Sequence, residues 1–542
     1  MNTWLRLRRT IVPCSLLTTN CYSGTSDPDL TVEVDSGMST PENGDGAGSA
    51  ATNDNDNDND NDNDNDNETD DDGTDNDGDN DDNDNDNDND NDNDTDDDNE
   101  TNEDNETNDD ASGDGDGIDS EGNSDGDNDG SSSESESDDD ASLPENDNED
   151  DANDGPKDLC PGANDPIPCE DGVANGFPCQ GVSFLSSISA KDMGGGKISD
   201  SWGWEHDRRA FAIVNHTVGT AFIEVTDACS PVFLGMLPQA DTASGNKIWH
   251  DVKVVQDHAY ICSEAGGHGM QVFDLKRLLS MSEGDLDLHA DAHYAEFGRC
   301  HNMVKHATGP YISGVGTNSC SNGFHIVDVS DPKNPTQAEC WSEAGYVHDA
   351  HCVVYRGPDE DHQGTEICLT SNGEGKNISV VDFTDKTNPF EIARADYPKA
   401  AYAHQGWLTA DHQYFVFGDK LDEGKLVDQT RTIIWDVRDL DEPVIIGEFD
   451  SPNSQAIGHN MYVVGELLFQ VNYVSGLRVS DLSNVREGVL TEIGWFDSAP
   501  GKSGQGWGGA WGQYPYFDHG AVLISDQGAG ALLVHPTVTT AG

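Results

Sequence analysis

The stretch IWHDVKVVQDHAYICSE, residues 248–264, sets a His ten residues ahead of a strand aromatic, His250 to Tyr260. The same offset recurs at His301 to Tyr311, His404 to Tyr414 and His459 to Phe469. Two further copies keep the spacing with another residue at the His position: Ser201 to Phe211, and Gly512 to Val522, the latter after Trp511, which corresponds to Trp249. A seventh begins at His348, in YVHDAHCVVY, and carries a polar loop, RGPDEDHQGTE, before its second strand at Ile367. Seven copies at a spacing of about fifty residues predict a seven-bladed β-propeller, because a repeat of that size makes one blade and buries its faces only against its neighbours.

A second register supports the period. Glu224/Asp227/Pro231, Asp328/Asp331/Pro335, Asp382/Asp385/Pro389 and Asp436/Asp439/Pro443 each place an acid, an Asp three later and a Pro seven later, between apolar strands such as RTIIWDV and PVIIGEF. Asp caps backbone amides in turns, and Pro, lacking an amide, suits the start of an edge strand, so these acids are expected to build turns. Six repeats end in an outer strand, whereas the last stops at ALLVHPTV. The upstream segment GVSFLSSIS matches the missing strand, and Val182–Ser189 is expected to dock on the final blade, closing the ring and removing a sheet edge.

Outside this all-β region the chain changes character. Residues 53–110 are nearly pure Asp-Asn repeat, and 111–157 continue in Asp, Ser, Gly and Glu. Such a segment has almost no apolar surface to offset the cost of ordering it, and is expected to be a disordered acidic tether, a solvated spacer. The formal charge of −80 comes largely from that end: residues 1–155 hold 55 of the 107 acids and three basic residues. The remainder is still acidic by 28 charges, which argues against nucleic acid and anionic membrane surfaces as partners.

The first residues, MNTWLRLRRTIVPCSLLTTNCYSG, join a basic region (Arg6, Arg8, Arg9) to a short apolar run and Cys21, and read as an export signal over 1–21, of secretory or lipoprotein type. The expected order is therefore signal 1–21, tether 22–157, a Cys-containing lead 158–181 and the propeller 182–538. The expected location is extracellular or cell-surface, either secreted or with membrane contact only through a lipid anchor on Cys21. Ten of the twelve cysteines fall between Cys160 and Cys368, and export makes disulfides the expected state. Cys352 and Cys368 flank the inserted loop and are the expected pair. The other pairings stay open.

Several long segments in order, CEDGVANGFPCQGVSFLSSIS, WHDVKVVQDHAYICSE, YVHDAHCVVYRGPDEDHQGTEICLTSN and WGGAWGQYPYF with GAVLISDQ, resemble the choice-of-anchor B family. Strands such as FHIVDVSDPKNP and ISVVDFTDKTNP are similar to those of LVIVD-repeat proteins. The resemblance covers about residues 158–538 and implies an extracellular β-propeller held at the surface by one of several kinds of anchor. It implies no catalytic residue. Ser201 and Gly512 depart from the His register, and the acidic tether is unusually long.

Residues at equivalent positions of a closed ring share radius and height. His250, His301, His348, His404 and His459 are therefore candidates for an axial cluster, and a divalent metal ion is the cofactor such a cluster would hold. Each is followed by a polar residue, Asp251, Asn302, Asp349, Gln405 or Asn460, suited to orient the ring or bind water. The competing reading is that each His hydrogen-bonds within its own blade. His348 and His351 form an HxxH, a weak motif on a strand. Residues 182–538 carry no G-x-S-x-G elbow, HExxH or Gly-rich phosphate cradle. These features favour a binding or scaffold module for an extracellular protein or small ligand, with a metal-dependent enzyme using the axis as the alternative.

Overall fold

The computed structural model describes residues 158–245, 248–282, 284, 288–452 and 454–540. The expected signal and tether lie outside them. The described residues form seven antiparallel sheets, each made of consecutive strands except the last two. Their innermost strands are Ile198–His206, His250–Val255, Asn302–Lys305, Asp349–Val354, Ala403–Leu408, Met461–Val464 and Ala510–Tyr514, and successive ones touch around a central axis. This is a seven-bladed β-propeller, and we number its blades in that order.

Closure follows the strand count. Val182–Ile188 pairs antiparallel with Gly530–Pro536, so the outer strand of blade 7 comes from the other end of the propeller sequence. Phe184 is buried there in one cluster with Phe496, Val522, Ile524 and Val534, which joins blade 6 to blade 7. Blade 6 carries two strands more than the others. The lead folds into a short hairpin, Val173–Ala174 with Phe177–Gln180, whose second strand pairs with Thr491–Phe496 and extends that sheet to six.

Middle strands are buried along nearly their whole length, as in Ala210–His216 and Glu366–Ser371, because both faces of a blade pack on neighbours. Between blades 4 and 5, for example, Val353, Leu369 and Val380 meet Phe415, Phe417, Ile433 and Trp435. Outer strands alternate instead, with Phe390 and Val444 half exposed. Six blades shift register between third and fourth strand, at Phe222/Ile223, Ile326/Val327, Val380/Val381, Ile434/Trp435, Val479/Ser480 and, in the closing strand, Phe184/Ser186. A bulge there twists the edge away from pairing with another chain.

The acid-Asp-Pro register makes turns as its chemistry requires. Asp328, Asp382 and Asp436 each accept from the amide two residues on, as do Asp331, Asp385 and Asp439. The proline then precedes the first residue of the outer strand. Cys352 is bonded to Cys368, directly opposite it on the adjacent strand. The other disulfides are Cys160–Cys229, Cys169–Cys179, Cys262–Cys300 and Cys320–Cys340. The first fastens the lead to the loop after the third strand of blade 1, while the second closes the lead on itself.

Candidate functional site at the axial mouth

The five histidines stand within two residues of the start of five inner strands, and all line one small opening at that end of the axis. It leaves room for a water- or ion-sized guest. His301, His348, His404 and His459 form a row, with ring centroids 4.4, 4.3 and 4.5 Å apart. His301 and His348 bring their Nε2 atoms to 2.8 Å. His250 stands apart from the row, with its ring against His268 at 5.7 Å. His351 is not in the site at all: it stacks on Trp407 at 3.6 Å and accepts from the amide of Leu408.

Gly512, one of the two departures from the register, has a structural purpose. A Cβ on residue 512 would lie 2.2 Å from Asp200 Oδ1, so glycine in blade 7 makes room for a carboxylate from blade 1. Asp200 reaches past that gap to accept from Asn460 Nδ2 of blade 6 at 2.9 Å.

The polar residue after each histidine does not orient the rings, contrary to expectation. It clamps adjacent inner strands together. Asp251 accepts from the amide of Met303 at 2.7 Å, Asn302 donates to the carbonyl of His348 at 2.9 Å, and Gln405 bonds both backbone groups of Met461. Gln513 donates to the carbonyls of Asn460 and Phe469. Two are exceptions: Asp349 caps the amide of Ala350 beside it, and Asn460 donates to the Asp200 carboxylate of blade 1.

Two of the histidines bond between blades rather than within one. His301 Nδ1 donates to the carboxylate of Glu264 and His459 Nδ1 to the carbonyl of Trp511. His404 leaves both ring nitrogens buried without a hydrogen-bond partner. Burial holds His348, His404 and His459 well below the ordinary imidazole range, and the neighbouring charges push the same way. These rings are therefore neutral at pH 7.

Sequence reasoning missed Glu264 and Lys420. Both immediately follow a second strand, His258–Ser263 and Tyr414–Asp419. Because that strand runs antiparallel to the first, its end returns to the mouth, so the position just past it was the available signal. Lys420 is buried, with its ammonium 5.5 and 5.0 Å above the rings of Tyr473 and Trp507; burial pulls its pKa down to about 7. At the rim, Trp249 and Trp507 are 38% and 51% exposed.

Also around the axis lies a charged network. Lys253 Nζ is 2.9 Å from both oxygens of Asp251 and 4.7 Å above Trp202. Burial, with the charge of Asp251 adding to it, lifts Asp200 to about 7. Its acid form is thus favoured by folding, and that contribution is full below about 3.8 and lost as pH rises through about 7. Asp200→Asn should therefore gain about 1–3 kcal/mol of unfolding free energy over the parent at pH 8 and almost none at pH 4, read from urea unfolding. An equal effect at both pH values contradicts the buried-acid account.

Four other groups of potential ligands are committed elsewhere. Those at Cys160/Asp227/Cys229, Cys320/His325/Cys340 and His306/Cys352/Glu366/Cys368 each contain a disulfide. In the fourth, Asp359/His362/Asp441, the Asp359 carboxylate accepts from the amides of Asp361 and Leu440.

No family model matches the chain, and no curated protein matches it in sequence. Among solved structures, the chain is similar to the crystal structure of the Cps50 (Swd1) β-propeller domain of Myceliophteria thermophila, at 10% identity and a TM-score of 0.44, over 66% of this chain and 100% of that one.

Proposed function

We propose that the chain is an exported binding module, of the choice-of-anchor B kind, whose ligand site is the axial mouth. One observation carries this. Four of the seven pairs of neighbouring inner strands are clamped by side chains other than histidine, those of Asp251, Asn302, Gln405 and Gln513. Five imidazoles nonetheless line a single opening, and the His404 ring is left unsatisfied at a cost of about 1–3 kcal/mol per group. A bound ligand would offset that cost. Five disulfides fit an oxidising, extracellular setting.

Thermal unfolding of the full chain with Cu(II), Zn(II), Ca(II) and phosphate, each supplied separately, tests the reading. At least one probe should raise Tm by about 3 °C or more, and His404→Gln should abolish that rise. Four unchanged melting curves remove the mouth as the ligand site. Catalytic use of the same pocket is the second reading, and the observation in its favour is the buried Lys420 amine on its wall.

A further inference from the structure

We infer that the axial mouth is a transition-metal site in which His301 and His348 supply a pair of imidazole nitrogens and His404 and His459 complete the set. The inference rests on the mouth being the ligand site and names the class of its ligand.

The outer nitrogens of the row are set first. A metal-bound imidazole ordinarily donates its remote N–H to a carboxylate or a backbone carbonyl, which fixes the tautomer and aims the other nitrogen at the ion. His301 Nδ1 has the carboxylate, Glu264, and His459 Nδ1 has the carbonyl, that of Trp511. Each arrangement reserves Nε2 for another partner. That carbonyl comes from blade 7, one of the two blades without a histidine in register.

The spacing of His301 and His348 is the second observation. His301 Nε2 and His348 Nε2 lie 2.8 Å apart. Two nitrogens at right angles on one ion, each at 2.0 Å, are separated by about 2.8 Å. In the unliganded protein a single proton shared between the two nitrogens holds them at this distance; an ion replaces the proton without moving either ring far.

His404 is the third. It stands between His348 and His459, and its two nitrogens have no hydrogen-bond partner. Water would relieve that cost only if other polar atoms held it there, whereas an ion needs the lone pair itself. Because the four rings form a row rather than a closed cage, His404 is the ligand that must turn to complete coordination.

The donor set chooses the metal. Imidazole suits copper, zinc and nickel, whereas calcium and magnesium take oxygen ligands. Lys420 offers the opposing interpretation, in which its ammonium and the imidazole N–H groups hold a small anion. The row favours the cation, since the N–H groups of His301 and His459 are already turned outward to acceptors.

The test uses the full chain without an affinity tag, stripped of metal and reloaded with one equivalent of Cu(II), in excess Ca(II) so that the Asp-rich segment is occupied. Retained copper is counted after gel filtration, and its EPR spectrum is recorded. The expected result is one Cu(II) per chain with hyperfine structure from three or four nitrogens. His348→Gln and His404→Gln should each weaken Cu(II) binding by at least about 100-fold at unchanged circular dichroism. The wild-type spectrum decides the matter even if a variant misfolds. An oxygen-only spectrum, copper lost on the column, or copper retained equally by folded variants overturns the metal assignment. If phosphate raises Tm and copper and zinc do not, the mouth is a ligand site but not a metal site; if no probe acts, both readings fall.

Discussion

Removing residues 158–190 should unfold the propeller, although the blade that loses its outer strand lies more than 300 residues downstream. The truncation deletes Val182, Phe184 and Leu185, all buried, and each is worth about 1.5–3 kcal/mol. It also deletes Cys160, whose bond to Cys229 closes a loop of 69 residues and is worth about 4 kcal/mol. Together these approach the whole stability of an ordinary domain, about 5–15 kcal/mol. Gly530–Pro536 would become an open edge, so aggregation should accompany the loss. A double variant, Cys160→Ser with Cys229→Ser, separates the two contributions: it should melt lower than the parent but still cooperatively. A truncated protein that melts like the parent shows that ring closure does not depend on this strand.

Lys253→Met should cost about 3–5 kcal/mol, the usual penalty for breaking a buried charge pair from one side. Burial alone would lower the pKa of this lysine; Asp251, Asp200 and Asp349 together raise it. Without the ammonium, Asp251 keeps only its amide bond to Met303 near two other buried acids. The pH dependence carries the sharper expectation. Burial lifts Asp349 to about 8 and Asp200 to about 7 in the folded chain, so their acid forms stabilise it fully below about 3.8 and lose that effect as pH rises through those values. Losing the cation raises the folded values further and steepens the loss. The gap between parent and Lys253→Met should thus be wider at pH 8 than at pH 5, by urea unfolding. A gap that does not change with pH would mean that lost packing on Trp202, rather than charge, sets the cost.

Much of the architecture was legible because a propeller is a sequence period made solid. The offset from His250 to Tyr260, kept in six copies and stretched by an insertion in the seventh, located the second strands; the acid-Asp-Pro register located the turns before the outer strands; and counting strands identified Val182–Ile188 as the closing one. The same period placed five histidines at one height on the axis, and all five line the mouth. Cys352 and Cys368 were readable because a short polar insertion between two strands leaves them opposite each other.

The period could not say which way the side chains turn or what they meet. That His301 faces His348 while His250 faces His268, that the residues after the histidines clamp neighbouring strands, and that Asp200 reaches Asn460 past Gly512 all depend on contacts between blades far apart in sequence. Lys420 and Glu264 reach the mouth only because antiparallel pairing returns the second strand to where the first began. Sequence by itself determined the ring, its closure and the height of the histidine register. The tertiary structure decided which imidazoles are paired, which are left unsatisfied and which charges surround them, because burial and inter-blade hydrogen bonding exist only once the ring is closed.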